Sequence, residues 1–120
     1  MGMNRHYADQ EPTRAEIDAM REPVVLEFGT PWCGYCRAAQ PLLESAFGEF
    51  PDLRHLKIED GKGKRLGRSF GIKLWPTLVV MRGGEEIERL VRPDAVEAIL
   101  AAMRKVIASA QQGAPAGPND

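Results

Sequence analysis

Two cysteines and two histidines are all that this chain of 120 residues holds of the thiol and imidazole side chains that build structural zinc sites. A closed zinc site needs four ligands, often two Cys pairs or a Cys pair with a His pair. Here a single C-x-x-C stands with His6 and His55, which are far apart and belong to no H-x-x-x-H pattern. Only a site shared between two chains would satisfy a metal. Long apolar runs are missing too, and nothing approaches the ~20 residues that span a bilayer. Charge of either sign is not in excess: 16 basic against 17 acidic residues give a net charge of −1. No global field therefore favours nucleic acid or an anionic membrane. The segment "GKGKR" lacks the G-x-x-x-x-G-K-[ST] order of a phosphate loop, which excludes nucleotide binding by that device. There is no internal repeat. The opening "MGMNRHYADQEPTR" has no basic-then-apolar pattern of a signal peptide, so a cytoplasmic protein is expected. In such a reducing compartment a cysteine pair is more often catalytic or metal-binding than a permanent staple.

What is present is ordinary for one globular domain, with 43% apolar and 28% charged residues. A chain of this size buries roughly two thirds of its unfolded surface and needs no cross-link to fold. Residues 1–12 read as an N-terminal extension, 13–108 as the domain, and 109–120 as a disordered tail, small, polar and rich in Pro and Gly. Thr13 with Glu16 three residues on predicts a capped helix to Met20. "VVLEF" (Val24–Phe28) reads as a buried strand with one charge, Glu27. A second helix is expected from Cys33 to about Phe47, with Pro41 inside it to kink it. "LRHLKI" (Leu53–Ile58) reads as a strand, with His55 alternating with Leu53 and Lys57 as a plain strand residue. A short helix follows at 64–70, and Lys62, Lys64, Arg65 and Arg68 make a solvated face. "TLVVM" (Thr77–Met81) and "EIERLV" (Glu86–Val91) flank Gly83-Gly84 as a hairpin. Asp94 with Glu97 predicts the start of a last helix. The alternation of the first part and the closing hairpin imply an α/β fold, a mixed sheet with helices on both faces.

The cysteines stand three apart in "TPWCGYC", residues 30–36, where the predicted strand hands over to the predicted helix. A helix N-terminus offers free N–H groups and a partial positive charge, and both favour a thiolate. Cys33 is therefore the expected nucleophile, with a depressed pKa. Cys36, one turn further in, is placed to attack a mixed disulfide on Cys33 and release the reduced substrate.

With these residues in view, "FGTPWCGYC" resembles the active site of the thioredoxin superfamily, with its Trp-Cys-Gly-x-Cys signature. Pro41 resembles the family's proline in the active-site helix. "FGIKLWPTL" (Phe70–Leu78) is similar to the segment that ends in a cis-proline followed by Thr, and "RGGE" to its glycine hairpin. The resemblance covers roughly 17–107. It implies a thioredoxin fold with a central sheet of four to five strands, and a thiol–disulfide oxidoreductase that acts as a reductant on protein disulfides. The Cys33–Cys36 dithiol would be its redox cofactor, with no metal, flavin or nucleotide. The partners implied are disulfide-containing proteins and a thioredoxin reductase, with no nucleic acid and no membrane, and the protein would be a monomer. The reading from another class is a binding or chaperone-like module whose dithiol is vestigial or regulatory.

The resemblance also assigns roles. Trp32 would shield the cysteines and pack on the substrate, and Gly34 and Tyr35 would lie at the mouth. Pro76 would face the cysteines, its cis bond turning the Trp75 backbone to the substrate. Glu27 corresponds to a buried acid beneath the resolving cysteine, and Lys57 to the lysine that partners it. A carboxyl in an apolar strand is expected to have a raised pKa and could take the Cys36 proton. Three departures stand out. Glu27 replaces an Asp, Tyr35 replaces the proline between the cysteines, and Arg92 replaces a glycine of the last loop, narrowing the groove and adding charge.

Overall fold

The computed structural model describes residues 2–112. Eight elements follow in the expected order. They are α1 (Arg14–Asp18), β1 (Val24–Gly29), α2 (Gly34–Glu49), β2 (Arg54–Glu59), α3 (Arg65–Ser69), β3 (Thr77–Arg82), β4 (Glu85–Val91) and α4 (Val96–Gln112). The sheet has four strands in the order β2-β1-β3-β4. β1 and β2 are parallel, and β3 is antiparallel to both β1 and β4.

Local chemistry sets the boundaries. The Thr13 side chain accepts from the Glu16 N–H and Glu16 returns a bond to the Thr13 N–H, the capping box that the sequence predicts. Gly83 and Gly84 both have positive φ, +58° and +81°, as a two-residue turn between antiparallel strands requires. Pro41 lies inside α2 and withholds one helical donor. The last helix starts at Val96 rather than Asp94. The residues just before it are held on the rim of a cavity that Arg92, Pro93 and Asp94 help to line.

Alternation along the strands divides the core. Val24, Leu26 and Phe28 face α1 and α3, packing with Ile17, Ile58, Leu66 and Phe70. Val25 faces the other way, into a cluster with Leu43, Phe47, Ile99 and Met103 from α2 and α4. All six residues of β1 are buried, as expected of a central strand covered on both faces. Glu27 shares the parity of Val25. Its neighbours in register on β2 are Lys57 opposite it and His55 opposite Val25, so all three point toward α2.

Residues 2–8, set apart by the sequence as an extension, run beside β2. Gly2 pairs with Arg54, and the Ala8 N–H donates to the Lys57 carbonyl at 2.9 Å. The segment covers an edge that would otherwise present unpaired backbone groups. At the other end, 109–112 continue α4 past the predicted boundary. The rest of the expected disordered tail, 113–120, lies outside the described residues.

Candidate active site

Cys33 is the N-cap of α2, in extended backbone conformation, and its Sγ accepts from the Cys36 N–H at 3.3 Å. The chain reaches this point by a tight turn, in which the Cys33 N–H donates to the Thr30 carbonyl at 3.4 Å. The two residues are close enough for each thiol to shift the acidity of the other. Both are free and buried, Cys33 7% exposed and Cys36 2%, so the first is the more accessible of the two.

That asymmetry divides their acidity. Burial would raise the Cys33 pKa. It is outweighed by bonds from the Cys36 side chain and from the Cys36 and Tyr35 N–H groups, with the Arg92 charge adding to them, and the net effect is a lowered pKa. The helix start thus does what the sequence predicts. Cys36 is pushed up to about 12, first by burial and then by the bond to Cys33. One sulfur is a nucleophile in waiting and the other a held thiol.

Gly29, at the end of β1, is required here by packing. A Cβ at this position would stand 2.5 Å from the Cys36 Sγ and 3.4 Å from the Tyr7 hydroxyl. Tyr7, from the N-terminal segment, therefore lies beside Cys36. A cleft of about 280 Å³ opens beside it, lined by Tyr7, Thr30, Cys36, Arg37, Gln40 and Lys57 among others.

Beneath the cysteines lies a buried polar network. Glu27 Oε1 is 2.9 Å from His55 Nε2, and Glu27 Oε2 accepts from Gln40 Nε2 at 2.9 Å. The Gln40 amide also donates to the Cys36 carbonyl at 2.9 Å, and its Oε1 accepts from Lys57 Nζ at 2.8 Å. Lys57 Nζ stands 3.6 Å from Glu27 and 4.8 Å from the Tyr7 ring centroid. The Asn4 N–H donates to His55 Nδ1 at 2.8 Å, so the ring proton sits on Nε2 and points at the carboxylate.

This network corrects two expectations. Burial does tend to raise the Glu27 pKa, as an apolar strand suggests. The hydrogen bond from His55, the Lys57 charge and the Gln40 amide reverse it, and the net shift is downward. Glu27 is a buried carboxylate, not a neutral acid. His55 is not a plain strand residue either: its side chain is fully buried, stacked on Phe47 with ring centroids 4.6 Å apart. Gln40 went unmarked in the sequence, although it stands one turn after Cys36. Tyr7 and Asn4 were hidden in an apparent extension.

On the outer side, Trp32 is 69% exposed and Tyr35 61%. Trp32 meets Trp75 edge-on with ring centroids 5.6 Å apart, and the Trp75 indole N–H donates to Asp60 at 2.8 Å. The Trp75–Pro76 bond is cis. The sequence-selected residues on this side thus come together around Cys33, and Glu27 and Lys57 lie on its inner side. Gly34 opens α2 with nothing within 4 Å of where a Cβ would stand.

A sulfur pair at the first turn of a helix, fed by the central strand of a mixed sheet and bordered by a cis-proline loop, is how dithiol proteins of the thioredoxin fold are built. The thioredoxin family profile matches residues 6–105. The chain belongs to the thioredoxin family. It is similar to the structure of thioredoxin 2 from Pseudomonas aeruginosa PAO1 in its reduced form, with a TM-score of 0.79 and 47% identity over 89% of this chain and 99% of that one. It is 35% identical over 74 residues to thioredoxin H2-1 of Oryza sativa subsp. japonica, 62% of this chain and 54% of that protein. It is also 35% identical over 68 residues to the thioredoxin of Chlamydia muridarum, 57% of this chain and 67% of that protein. The chain thus spans about half the length of the rice relative.

Proposed function

We propose that the chain is a thiol–disulfide oxidoreductase that reduces disulfides in protein substrates. The Cys33 thiolate attacks one substrate sulfur, and the other leaves as a thiolate and takes a proton from solvent. The Cys33–substrate mixed disulfide then has no charge on Cys33. Two of the influences that hold Cys36 up, the bond to Cys33 and its charge, are gone at that point. Cys36 becomes more acidic, and Glu27, an anion beneath it, receives its proton with Lys57 as counter-charge. The cleft lined by Tyr7, Thr30 and Gln40 leads that proton to solvent. Cys36 then attacks the Cys33 sulfur, and the second substrate sulfur departs. Two electrons have passed to the substrate, and a Cys33–Cys36 disulfide remains.

The observation that carries this reading is the Cys33 Sγ held at the first turn of α2 by the Cys36 N–H at 3.3 Å, together with the split in acidity between the two sulfurs, one lowered and one raised. A module with a vestigial dithiol has no use for that split. In the same reading the dithiol is the redox cofactor, and a thioredoxin reductase recharges the protein. It works as a cytoplasmic monomer on protein partners rather than nucleic acid or membrane. In support, the net charge is near zero, and no helix among the described residues is long and apolar enough to cross a membrane.

The experiment is reduction of insulin disulfides by the reduced protein, repeated with Cys33→Ser. Turnover that requires Cys33 supports the assignment. An inert wild-type protein that still binds polypeptide equally well with the substitution would overturn it.

A further inference from the structure

Arg92 has a backbone conformation that side chains seldom adopt, with φ at +50°. Its side chain crosses the groove beside Cys33. Nε donates to the Trp75 carbonyl at 2.8 Å, and the guanidinium carbon lies 4.0 Å from the Tyr35 ring centroid. The Arg92 N–H takes the Pro76 carbonyl at 2.8 Å. One residue therefore ties the loop before the cis-proline to the residue between the two cysteines.

The bridge has a consequence for any polypeptide that reaches Cys33. An extended chain lying along a loop bonds to its backbone groups. Pro76 has no N–H and its carbonyl is taken, so the acceptor left at this point is the Trp75 carbonyl, and Arg92 occupies it. An incoming strand has to displace the guanidinium or compete with it for the second lone pair of that oxygen. Among the described residues no carboxylate lies within ion-pair distance of Arg92. Asp60 is bonded to the Trp75 indole, and Asp94 lines the same cavity as Arg92 without forming an ion pair with it. Besides solvent and the nearby Cys33 sulfur, the exposed cation is held by a neutral carbonyl and a ring, and a carboxylate is a stronger acceptor than either. Beneath the bridge is a cavity of about 450 Å³, floored by Ala38, Ala39 and Leu42 and walled by Pro76 and Pro93, able to take an apolar side chain.

We propose that Arg92 is a selectivity latch. It favours disulfide substrates that carry Asp or Glu beside the reacting cysteine, whose carboxylate draws the guanidinium off the Trp75 carbonyl and frees that carbonyl for the substrate backbone. The proposal rests on the oxidoreductase reading. Substrates with a neutral neighbour open the latch without help, and those with a basic neighbour are repelled.

The test uses three disulfide-bonded peptides identical except for Glu, Gln or Lys beside the attacked cysteine, with the full chain as reductant. An exposed pair of opposite charges is worth up to about 1 kcal/mol, so the Glu peptide is expected to be reduced about fivefold faster than the Gln peptide. The Lys peptide is expected to be slowest. Arg92→Gly, which suits the positive φ, should erase the ranking, and Arg92→Glu should reverse it. Equal rates in the wild type, or a ranking unchanged in both variants, overturn the latch. A second arm measures binding of Ser-for-Cys peptides by Trp32 and Trp75 fluorescence. Reduction without ranking leaves the activity standing and removes the latch. Preferential, Arg92-dependent binding of the Glu analogue by a protein that reduces nothing keeps the latch and removes the activity.

Discussion

His55 and Glu27 meet diagonally across two parallel strands, Nε2 2.9 Å from Oε1, with neither side chain exposed to solvent. An unpaired carboxylate could not survive there, since a buried charge without partners is among the costliest features a fold can carry. Glu27 survives because His55 from β2 and Gln40 from α2 hydrogen-bond its two oxygens, and Lys57 from β2 stands 3.6 Å away as counter-charge.

The first prediction follows from the sign of its shift. The folded Glu27 pKa lies below the ordinary value near 4.5. Its contribution to stability is therefore complete above that value and is lost as pH falls through the folded pKa. Urea denaturation followed from pH 7 down to pH 3 should show an acid-sensitive limb that Glu27→Gln flattens. At pH 7 the same substitution should cost about 1–3 kcal/mol, because it leaves a charged Lys57 with a weaker partner. An unchanged acid limb in Glu27→Gln would show that other carboxyls govern it.

The second prediction concerns the sulfurs. With Cys33 lowered and Cys36 at about 12, alkylation at neutral pH should label Cys33 alone. Its rate should rise with pH and level off below the ordinary cysteine value of ~8.5. Peptide mapping after limited iodoacetamide treatment distinguishes the two sites. Equal labelling of both would contradict the division of roles.

A third prediction isolates packing from charge. Gly29→Ala places a methyl 2.5 Å from the Cys36 Sγ, with the Tyr7 hydroxyl 3.4 Å away. Overpacking of this kind costs roughly 1–3 kcal/mol, and relief has to come from moving Cys36. Thermal unfolding should therefore occur at lower temperature. The Cys33 thiolate titration should also move upward, since the Cys36 N–H and thiol that support it are displaced. Destabilisation with an unmoved titration would mean that the backbone, not the sulfur, yields.

Much of this was legible in the sequence because the signals were local. The capping box at Thr13, the glycine pair at the hairpin and the C-x-x-C at a strand–helix junction each depend on residues within one turn of one another. Order and type of all eight elements followed from such signals. The polar network did not, because its logic is register. His55 becomes a partner of Glu27 only once β1 and β2 pair parallel with Val25 beside His55 and Glu27 beside Lys57. The one available clue was that His55 and Lys57 share parity on a strand opposite a buried acid. The raised pKa expected for Glu27 failed for the same reason: its burial was visible in the sequence, and so by resemblance was Lys57, but the His55 and Gln40 donors were not. Asn4 and Tyr7 were out of reach, since their segment shows no periodicity and gains its role by lying along β2.

The last prediction tests whether His55 positions the acid or merely fills space. His55→Leu keeps an apolar body of similar bulk and removes the Nε2–H donor. Glu27 then faces its burial with Lys57 and Gln40 alone, and its pKa should rise. The loss of an otherwise satisfied buried bond should cost about 1–3 kcal/mol. A purely structural role would stop there. A positioning role adds a second effect: the pH at which the acid limb of stability appears should shift upward. The step in which Cys36 resolves the mixed disulfide should also acquire a new dependence on pH as the carboxyl titrates. Rapid-quench kinetics of mixed-disulfide resolution, followed across pH 5 to 9 in wild type and His55→Leu, separates the two. Parallel profiles with only a loss of stability would reduce His55 to packing. A displaced profile in the variant would make it the residue that keeps Glu27 charged.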